Sequence, residues 1–267
     1  MSGGDWLARA RAAAEAPALA LREPLQLDLG GRATIVGSIE PATAERLVVS
    51  RQPLCRVGAG WQVDAPAVPS LAAIAAWLRD AGLAGRWRGE QLAVVDGDEH
   101  RVATVERSVV RVLGLTTYAV HLVGFAADGE RVWVQQRAFD KATDPGRWDT
   151  LMGGQVAAGE TVETALARET WEEAGLDVRA LRELGRGARI TIRRPVDEGY
   201  MVEHLDVCSA RLPEGVEPRN QDGEVVRFEC LDSAALERRL ASGDFTLEAT
   251  LILAEAIPRF NASMRAP

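Results

Sequence analysis

The residues with the plainest chemical purpose lie between positions 154 and 176, where the chain reads GQVAAGETVETALARETWEEAGL. Glu160 follows Gly154 by six positions, Arg168 and Glu169 are adjacent, and Glu172, Glu173, Gly175 and Leu176 close the segment. At about 100° per residue, a helix over this stretch puts Glu169, Glu172 and Glu173 within one arc of about 100°. Carboxylates at such spacings repel by roughly a few tenths of a kcal/mol per pair, and Arg168 cannot offset all of it. Hard divalent cations take clustered carboxylate oxygens, and magnesium commonly bridges carboxylates to substrate phosphates. The chemistry implied is metal-assisted attack on a phosphate. The glycine pair Gly153-Gly154 lets the backbone approach closely, so the Gly153 carbonyl can join the metal shell.

A helix must hold these groups. Thr161 suits its N-cap and Gly175 its stop. Leu166, Ala167, Thr170, Trp171 and Ala174 fall on a separate arc and are expected to pack inward. Acidic helix faces are common, but seven fixed positions are met here, a chance match on the order of one in 10^5. The segment resembles the Nudix box, Gly-x5-Glu-x7-Arg-Glu-U-x-Glu-Glu-x-Gly-U with U aliphatic, departing only where Thr170 stands for the first U. The resemblance implies a Nudix α/β/α sandwich around a mixed sheet, an α/β fold. It further implies Glu169, Glu172 and Glu173 as ligands of Mg2+, with Mn2+ as the alternative. By the same resemblance, Arg168 and Glu160 form the ion pair that fixes the loop-helix-loop. In the reaction implied, magnesium neutralises a diphosphate and a carboxylate takes a proton from water, which attacks in line. Glu169 is one candidate base. Glu224, preceding a strand-like Val225 to Phe228, is another.

A wider likeness narrows the substrate. Trp87 to Glu90, Glu106-Arg107, His121 to Gly124, Trp133 to Arg137, Lys141 to Asp149, Pro218 to Val225 and Gly243 to Phe245 are similar to Nudix proteins related to thiamine diphosphate. Those proteins carry an extra N-terminal domain. The likeness implies hydrolysis of thiamine diphosphate, or of its damaged or oxidised analogues, to the monophosphate plus phosphate. It leaves Trp148-Asp149-Thr150 where the family pattern has Leu-Asp-Asn. Trp148 is then a candidate to stack on a flat cationic ring, and Arg137, Lys141 and Arg147 are candidates for phosphate contact. The alternatives are a pyrophosphatase of nucleoside diphosphate derivatives such as ADP-ribose or an oxidised nucleotide, a non-catalytic ligand sensor on the same scaffold, and an isoprenyl-diphosphate isomerase. The last needs an acid/base pair for which no cysteine is evident.

The rest of the chain supplies the frame. Its 267 residues are 47% hydrophobic, enough for a sizeable core. A net charge of -8 argues against a protein that coats nucleic acid. Three scattered cysteines, Cys55, Cys208 and Cys230, suit neither a disulfide framework nor zinc. No apolar run nears the roughly 20 residues that span a bilayer, and residues 1–23 read as an ordinary surface helix and its tail. A cytoplasmic location is expected. The expected partner is a small diphosphate, with no nucleic acid or membrane, and a homodimer is compatible with the sequence. Patterning predicts a helix from Asp5, strands around Gly30-Gly31, a helix from Ala42 to Val49 and a helix capped at Ser70. It also predicts a strand pair around Asp96-Gly97-Asp98, a helix from Glu106 to Leu113, and a hairpin at Asp128-Gly129. The character changes near Gly114, which predicts an N-terminal α+β domain over 1–115 and a Nudix hydrolase domain over 116–267.

Overall fold

Over residues 5–257, the computed structural model of the chain comprises two units joined along a seam. Helix α1 (Asp5–Ala14) comes first. A four-stranded sheet follows, from β1 (Glu23–Asp28), β2 (Ala33–Ile39), β3 (Leu54–Val57) and β4 (Gly60–Val63), with α2 (Pro41–Val49) between β2 and β3. Its order is β2-β1-β4-β3, with β1 and β4 parallel. Helix α3 (Ala67–Asp80) and the hairpin β5 (Gln91–Val95) and β6 (Arg101–Glu106) complete this unit. One cluster of leucines, valines and Trp61 fills it.

Two expectations shift here. Ser70 is not the cap of α3: the helix starts at Ala67 behind an extended Pro66, and Ser70 is buried within it. Pro69 sits in the first turn, where its missing N–H costs nothing. The helix expected from Glu106 to Leu113 shrinks to one 3-10 turn, Arg107–Val109, because Val109, Val110 and Leu113 are all drawn into the core.

The second unit is a seven-stranded mixed sheet. Its strands are β7 (Thr116–Phe125), β8 (Val132–Arg137), β9 (Trp148–Asp149), β10 (Met152–Gln155), β11 (Arg182–Val196), β12 (Gly199–Arg211) and β13 (Val225–Leu231). The main order is β11-β12-β7-β8-β13; β10 pairs with β7, β9 with β8, and β12 with β7 runs parallel. Strand β7 alternates: Ala119 and Val123 enter one core layer, Val120 and Leu122 the other. Helix α4 (Val162–Ala174) covers the second face, while α5 (Ser233–Ser242) and α6 (Leu247–Ala256) cover the first. This is an α/β/α sandwich, as expected. Among the described residues, no helix is long and apolar enough to cross a membrane.

The outer layer also takes in α1, which was expected to be a surface helix of the N-terminal domain. Trp6, Leu7, Ala10 and Ala14 are buried in the sandwich core with α6, and the Ala16 N–H donates to the Arg193 carbonyl on β11. The apolar face of α1 needs cover, and the sheet beneath α5 and α6 supplies it. The chain therefore enters the sandwich, leaves at residue 22 to build the smaller unit, and returns near Gly114. The ends of the two expected ranges, 1–4 and 258–267, lie outside the described residues.

The seam is polar and specific. The Tyr200 N–H donates to the Arg111 carbonyl (2.9 Å). Arg189 on β11 grips Glu99 with two bonds of 2.7 and 2.8 Å, and the Ala158 N–H donates to the Gln91 carbonyl (2.9 Å). Because α1 is core, Leu7→Ala is expected to lower unfolding free energy by about 2–5 kcal/mol in urea titrations. A surface helix would lose no more than about 0.5 kcal/mol.

Candidate active site

Helix α4 forms where its caps were expected. Thr161 Oγ1 accepts from the Thr164 N–H (3.2 Å), and Gly175 closes the helix at φ 64°, in the left-handed region open to glycine. Its buried face differs from expectation in an instructive way. Trp171, expected inward, is 58% exposed, whereas Glu173 is 2% exposed. A carboxylate has taken the place of an indole because the sheet offers it partners. Glu173 Oε2 accepts from Gln135 Nε2 on β8 (2.8 Å) and from the Gly153 N–H (3.1 Å). Lys141 Nζ stands 3.9 Å from its other oxygen. Burial nonetheless dominates and pushes the Glu173 carboxyl up to about 8.

Beside it, burial also raises the Glu169 carboxyl, against the opposing pull of Arg168. Strand β10 passes so close that a Cβ on Gly154 would overlap the Glu169 carboxyl carbon, and only glycine fits. Arg168 is the hub of the loop-helix junction. Its Nε and Nη2 grip both Glu160 oxygens at 2.6 and 2.8 Å, and its Nη1 reaches Glu169 (2.7 Å) and Glu172 (3.0 Å). Glu160 also accepts from the Ala157 N–H (3.1 Å). The Arg168 bonds hold its carboxyl below the usual range.

The three box carboxylates do not meet at one point. Among the described residues, the acidic and imidazole ligand atoms that gather within 4.8 Å are those of Asp96, Asp98 and His100, at the β5–β6 turn. There Asp96 Oδ1 accepts from the Asp98 and His100 N–H groups at 2.9 Å, an ordinary turn arrangement. In the box, Arg168 holds Glu169 and Glu172 while Glu173 turns inward to Gln135 and Gly153. The donor set still fits a hard divalent cation: the buried Glu173, with Lys141 no nearer than 3.9 Å, and the half-buried Glu169 both turn carboxylate oxygens to the cleft lining.

That cleft, about 500 Å³, opens along the seam between the two units. Its walls include Glu169, Glu173, Gly153, Glu224, Lys141 and Arg137 from the expected set. Lys141 forms an ion pair with Glu224, and this outweighs burial to hold the Glu224 carboxyl below its usual range. Arg137 bonds Asp149 (3.2 Å) and the Thr143 carbonyl (3.0 Å).

Two expected contacts are absent from the cleft. Arg147 binds the Gly243 and Phe245 carbonyls (2.6 and 3.2 Å), bracing β9 against the α5–α6 corner. Trp148 is buried in the core, with the Arg227 and Arg239 guanidiniums 5.3 and 4.5 Å from its ring centre. Those cations occupy the place a cationic ring would need.

Sequence reasoning missed several cleft residues. Glu203 on β12 is buried yet held down to about 2, because Arg111, Gln155 and Thr117 (2.8, 2.7 and 2.8 Å) outweigh its desolvation. Among the described residues, Glu248 on α6 has one ionic partner, Arg194 at 3.9 Å, and burial together with Glu203 raises its carboxyl to about 7. His121 is buried and kept neutral by desolvation, its Nδ1 3.0 Å from a Thr150 hydroxyl that itself donates to the Met152 carbonyl. The bonding network therefore assigns the proton to Nδ1. Arg88, Arg107 and Arg111 arrive from the N-terminal unit. Arg137 Nε, Gln155 Oε1 and Arg194 Nε, all from cleft residues, are buried without a hydrogen-bond partner among the described residues. Such orphaned atoms mark places where a ligand or water belongs.

Comparison with known proteins identifies the family of the second unit. The family described as NUDIX domain matches residues 115–250, and the chain belongs to that family of hydrolase-type domains. Over 134 residues it is 31% identical to Nudix hydrolase 24, chloroplastic, of Arabidopsis thaliana, covering 49% of this chain and 36% of that protein. The match thus spans little more than a third of that relative's length. An isopentenyl-diphosphate Delta-isomerase of Leifsonia xyli is 31% identical over 169 residues, covering 61% of this chain and 88% of the isomerase. The crystal structure of the Deinococcus radiodurans protein DR0079 superposes with a TM-score of 0.50 at 24% identity, over 64% of this chain and 98% of that one, and shares the fold.

The raised Glu173 carboxyl carries a sign. A folded-state value above the unfolded one gives stability that is full below about 4.5 and is lost as pH rises to about 8. Metal-free protein is therefore expected to lose stability across that window, and Glu173→Gln to lose less. Thermal melts of both proteins from pH 4.5 to 8.5, with chelator present, check this.

Proposed function

We propose that the chain is a magnesium-dependent diphosphatase acting on thiamine diphosphate or its damaged and oxidised analogues, with manganese as an alternative metal. The observation that carries this reading is the division of charge in one cleft. Lys141, Arg137 and Arg88 act on Glu224 beside the box carboxylates, which suits a diphosphate. Glu248 interacts with Glu203 and Asp149, which suits a cationic ring at the other end of the same substrate. Arg111 and Arg137 already neutralise Glu203 and Asp149. Of these three, Glu248 has the weakest partner, Arg194 at 3.9 Å, and a ring cation would complete it.

Glu169 and Glu173, with the Gly153 carbonyl and Glu172, would hold the metal, which when bound neutralises the diphosphate and makes phosphorus more electrophilic. The protein's own groups do the remainder. Glu169, whose burial raises its proton affinity, takes a proton from the attacking water. Glu224, committed to Lys141, is the weaker base. Water oxygen bonds to phosphorus, the bridging P–O bond breaks, and monophosphate and phosphate leave. The Arg168–Glu160 pair keeps the base in place.

The isomerase relatives favour a second reading on sequence grounds, but its chemistry fits this cleft poorly. Moving an allylic double bond needs an acid and a base across an apolar chain. No cysteine lines the cleft, whose walls are mostly charged. A panel of thiamine diphosphate, oxidised thiamine diphosphate, ADP-ribose, oxidised nucleotides and isopentenyl diphosphate, at saturating magnesium, separates the readings. Thiamine diphosphates should show the highest kcat/KM, and Glu173→Gln should lower it by about 10^3 or more. A nucleotide turning over fastest would sink the substrate assignment. Ionisation of Glu248 through about 7 strengthens attraction for a cationic ring. KM for the thiamine compounds should therefore fall between pH 6 and 8, and Glu248→Gln should flatten that profile.

A further inference from the structure

The cleft lining holds nine carboxyl groups against six cations, and most of those cations are already paired with them. Five of those cations are already engaged. Arg107 pairs with Glu90, Arg111 with Glu203, Arg137 with Asp149, Lys141 with Glu224, and Arg194 with Glu248. Among the described residues, Arg88 alone of the six has no ion pair, and its side chain is exposed to the cleft.

The backbone beneath Arg88 is held firmly. Its own N–H donates to Glu106 Oε1 (2.9 Å), and Glu106 is buried. Two residues on, Glu90 receives Arg107 through its side chain (2.8 Å) and the Arg107 N–H through its carbonyl (2.9 Å). Three residues before, the Gly85 N–H donates to the Ser108 carbonyl (3.0 Å). A loop tied at each end and at its centre presents one free guanidinium. That guanidinium acts electrostatically on Glu224, which shares Lys141 with Glu173. The line of charge thus runs from the box carboxylate through Lys141 and Glu224 to the N-terminal unit.

We propose that the N-terminal unit is a substrate clamp, and that Arg88 is its contact, binding a non-bridging phosphate oxygen of the diphosphate held by the Nudix half. The proposal rests on the diphosphatase reading and gives the smaller unit a role in it. A fork of guanidinium donors suits a phosphate better than an ammonium does, and a pre-positioned loop lowers the ordering cost of binding. Arg88 is a binding residue here; the reacting atoms are served by α4 and Glu224.

Arg88→Gln and Arg88→Lys test the clamp in the full-length chain. With the fastest substrate of the panel, Arg88→Gln is expected to raise KM about tenfold, as for loss of one charge-assisted hydrogen bond, with kcat reduced less than about threefold. Arg88→Lys should recover part of the loss. Methylenediphosphonate with magnesium, titrated calorimetrically, should bind about tenfold more weakly to Arg88→Gln than to wild type. Wild-type affinity should also fall more steeply with added salt. Unchanged KM and unchanged diphosphonate affinity in Arg88→Gln, with wild-type turnover intact, overturn the clamp alone. A loss confined to kcat overturns it too. A wild-type chain that hydrolyses no diphosphate in the panel overturns the diphosphatase reading and the clamp with it.

Discussion

The structure depends on the withdrawal from water of two carboxylates, the buried Glu173 and the half-buried Glu169, where α4 docks on β10. Docking needs a backbone without side chains at Gly153 and Gly154, and it removes from water two groups that would rather stay wet. Desolvating an ion in a folded protein costs on the order of several kcal/mol unless partners compensate. Gln135 and the Gly153 N–H compensate Glu173 incompletely, as its raised proton affinity shows. The same packing that makes the helix expensive to bury makes it hungry for positive charge. Stability is given up at one place to create affinity there, a common trade at functional sites.

Arg168 explains why the helix does not simply rotate its acids outward. Its fork is fixed to Glu160 across the preceding loop, and its remaining nitrogen holds Glu169 and Glu172. Loop, helix and strand are thereby locked in register, and Thr161 and Gly175 prevent slippage at the ends. Thr170 stands where an aliphatic residue is usual in the box, yet it is fully buried and the helix docks. The substitution changes the packing chemistry without displacing the acids.

The parts legible in the sequence were those that local rules govern. Caps at Thr161 and Gly175, the hairpin at Asp128-Gly129 and the strand pair around Asp96-Gly97 each rest on neighbours within a few residues. The parts that were not legible depend on distant partners. Helical periodicity put Trp171 inward and Glu173 on the acidic face, and it was Gln135 on β8 with the Gly153 N–H that turned the acid inward. Nothing local shows that α1 crosses over to cover α6, or that Glu248 and Glu203 share a cleft. Trp148 looked like a stacking platform because aromatic type is visible in sequence, whereas the Arg227 and Arg239 guanidiniums packed on it are not. Arg88 sat within a recognised segment, but its freedom emerges only once every other cleft cation is seen to be paired.

The connection of the two units follows from this charge balance. The sandwich by itself supplies acids to the cleft in excess, because β12, α4 and α6 contribute Glu203, Glu169, Glu173 and Glu248. Three of the six cations come from the smaller unit, and one of them, Arg111, neutralises the buried acid Glu203. Without Arg111, Glu203 would be a buried charge with no cation beside it near the start of the parallel β12–β7 pairing, and the cleft floor would change its protonation. The smaller unit is therefore not an appendage whose position is incidental. Its turn at Arg107–Val109 and the segment that follows form part of the electrostatic wall of the site, and the seam bonds at Glu99, Gln91 and Arg111 keep that wall in place. In the proposed reading, the cleft would hold an anionic group, a metal and a cationic ring together only while both units stay docked, which would make the stability of the seam and the selectivity of the site one property.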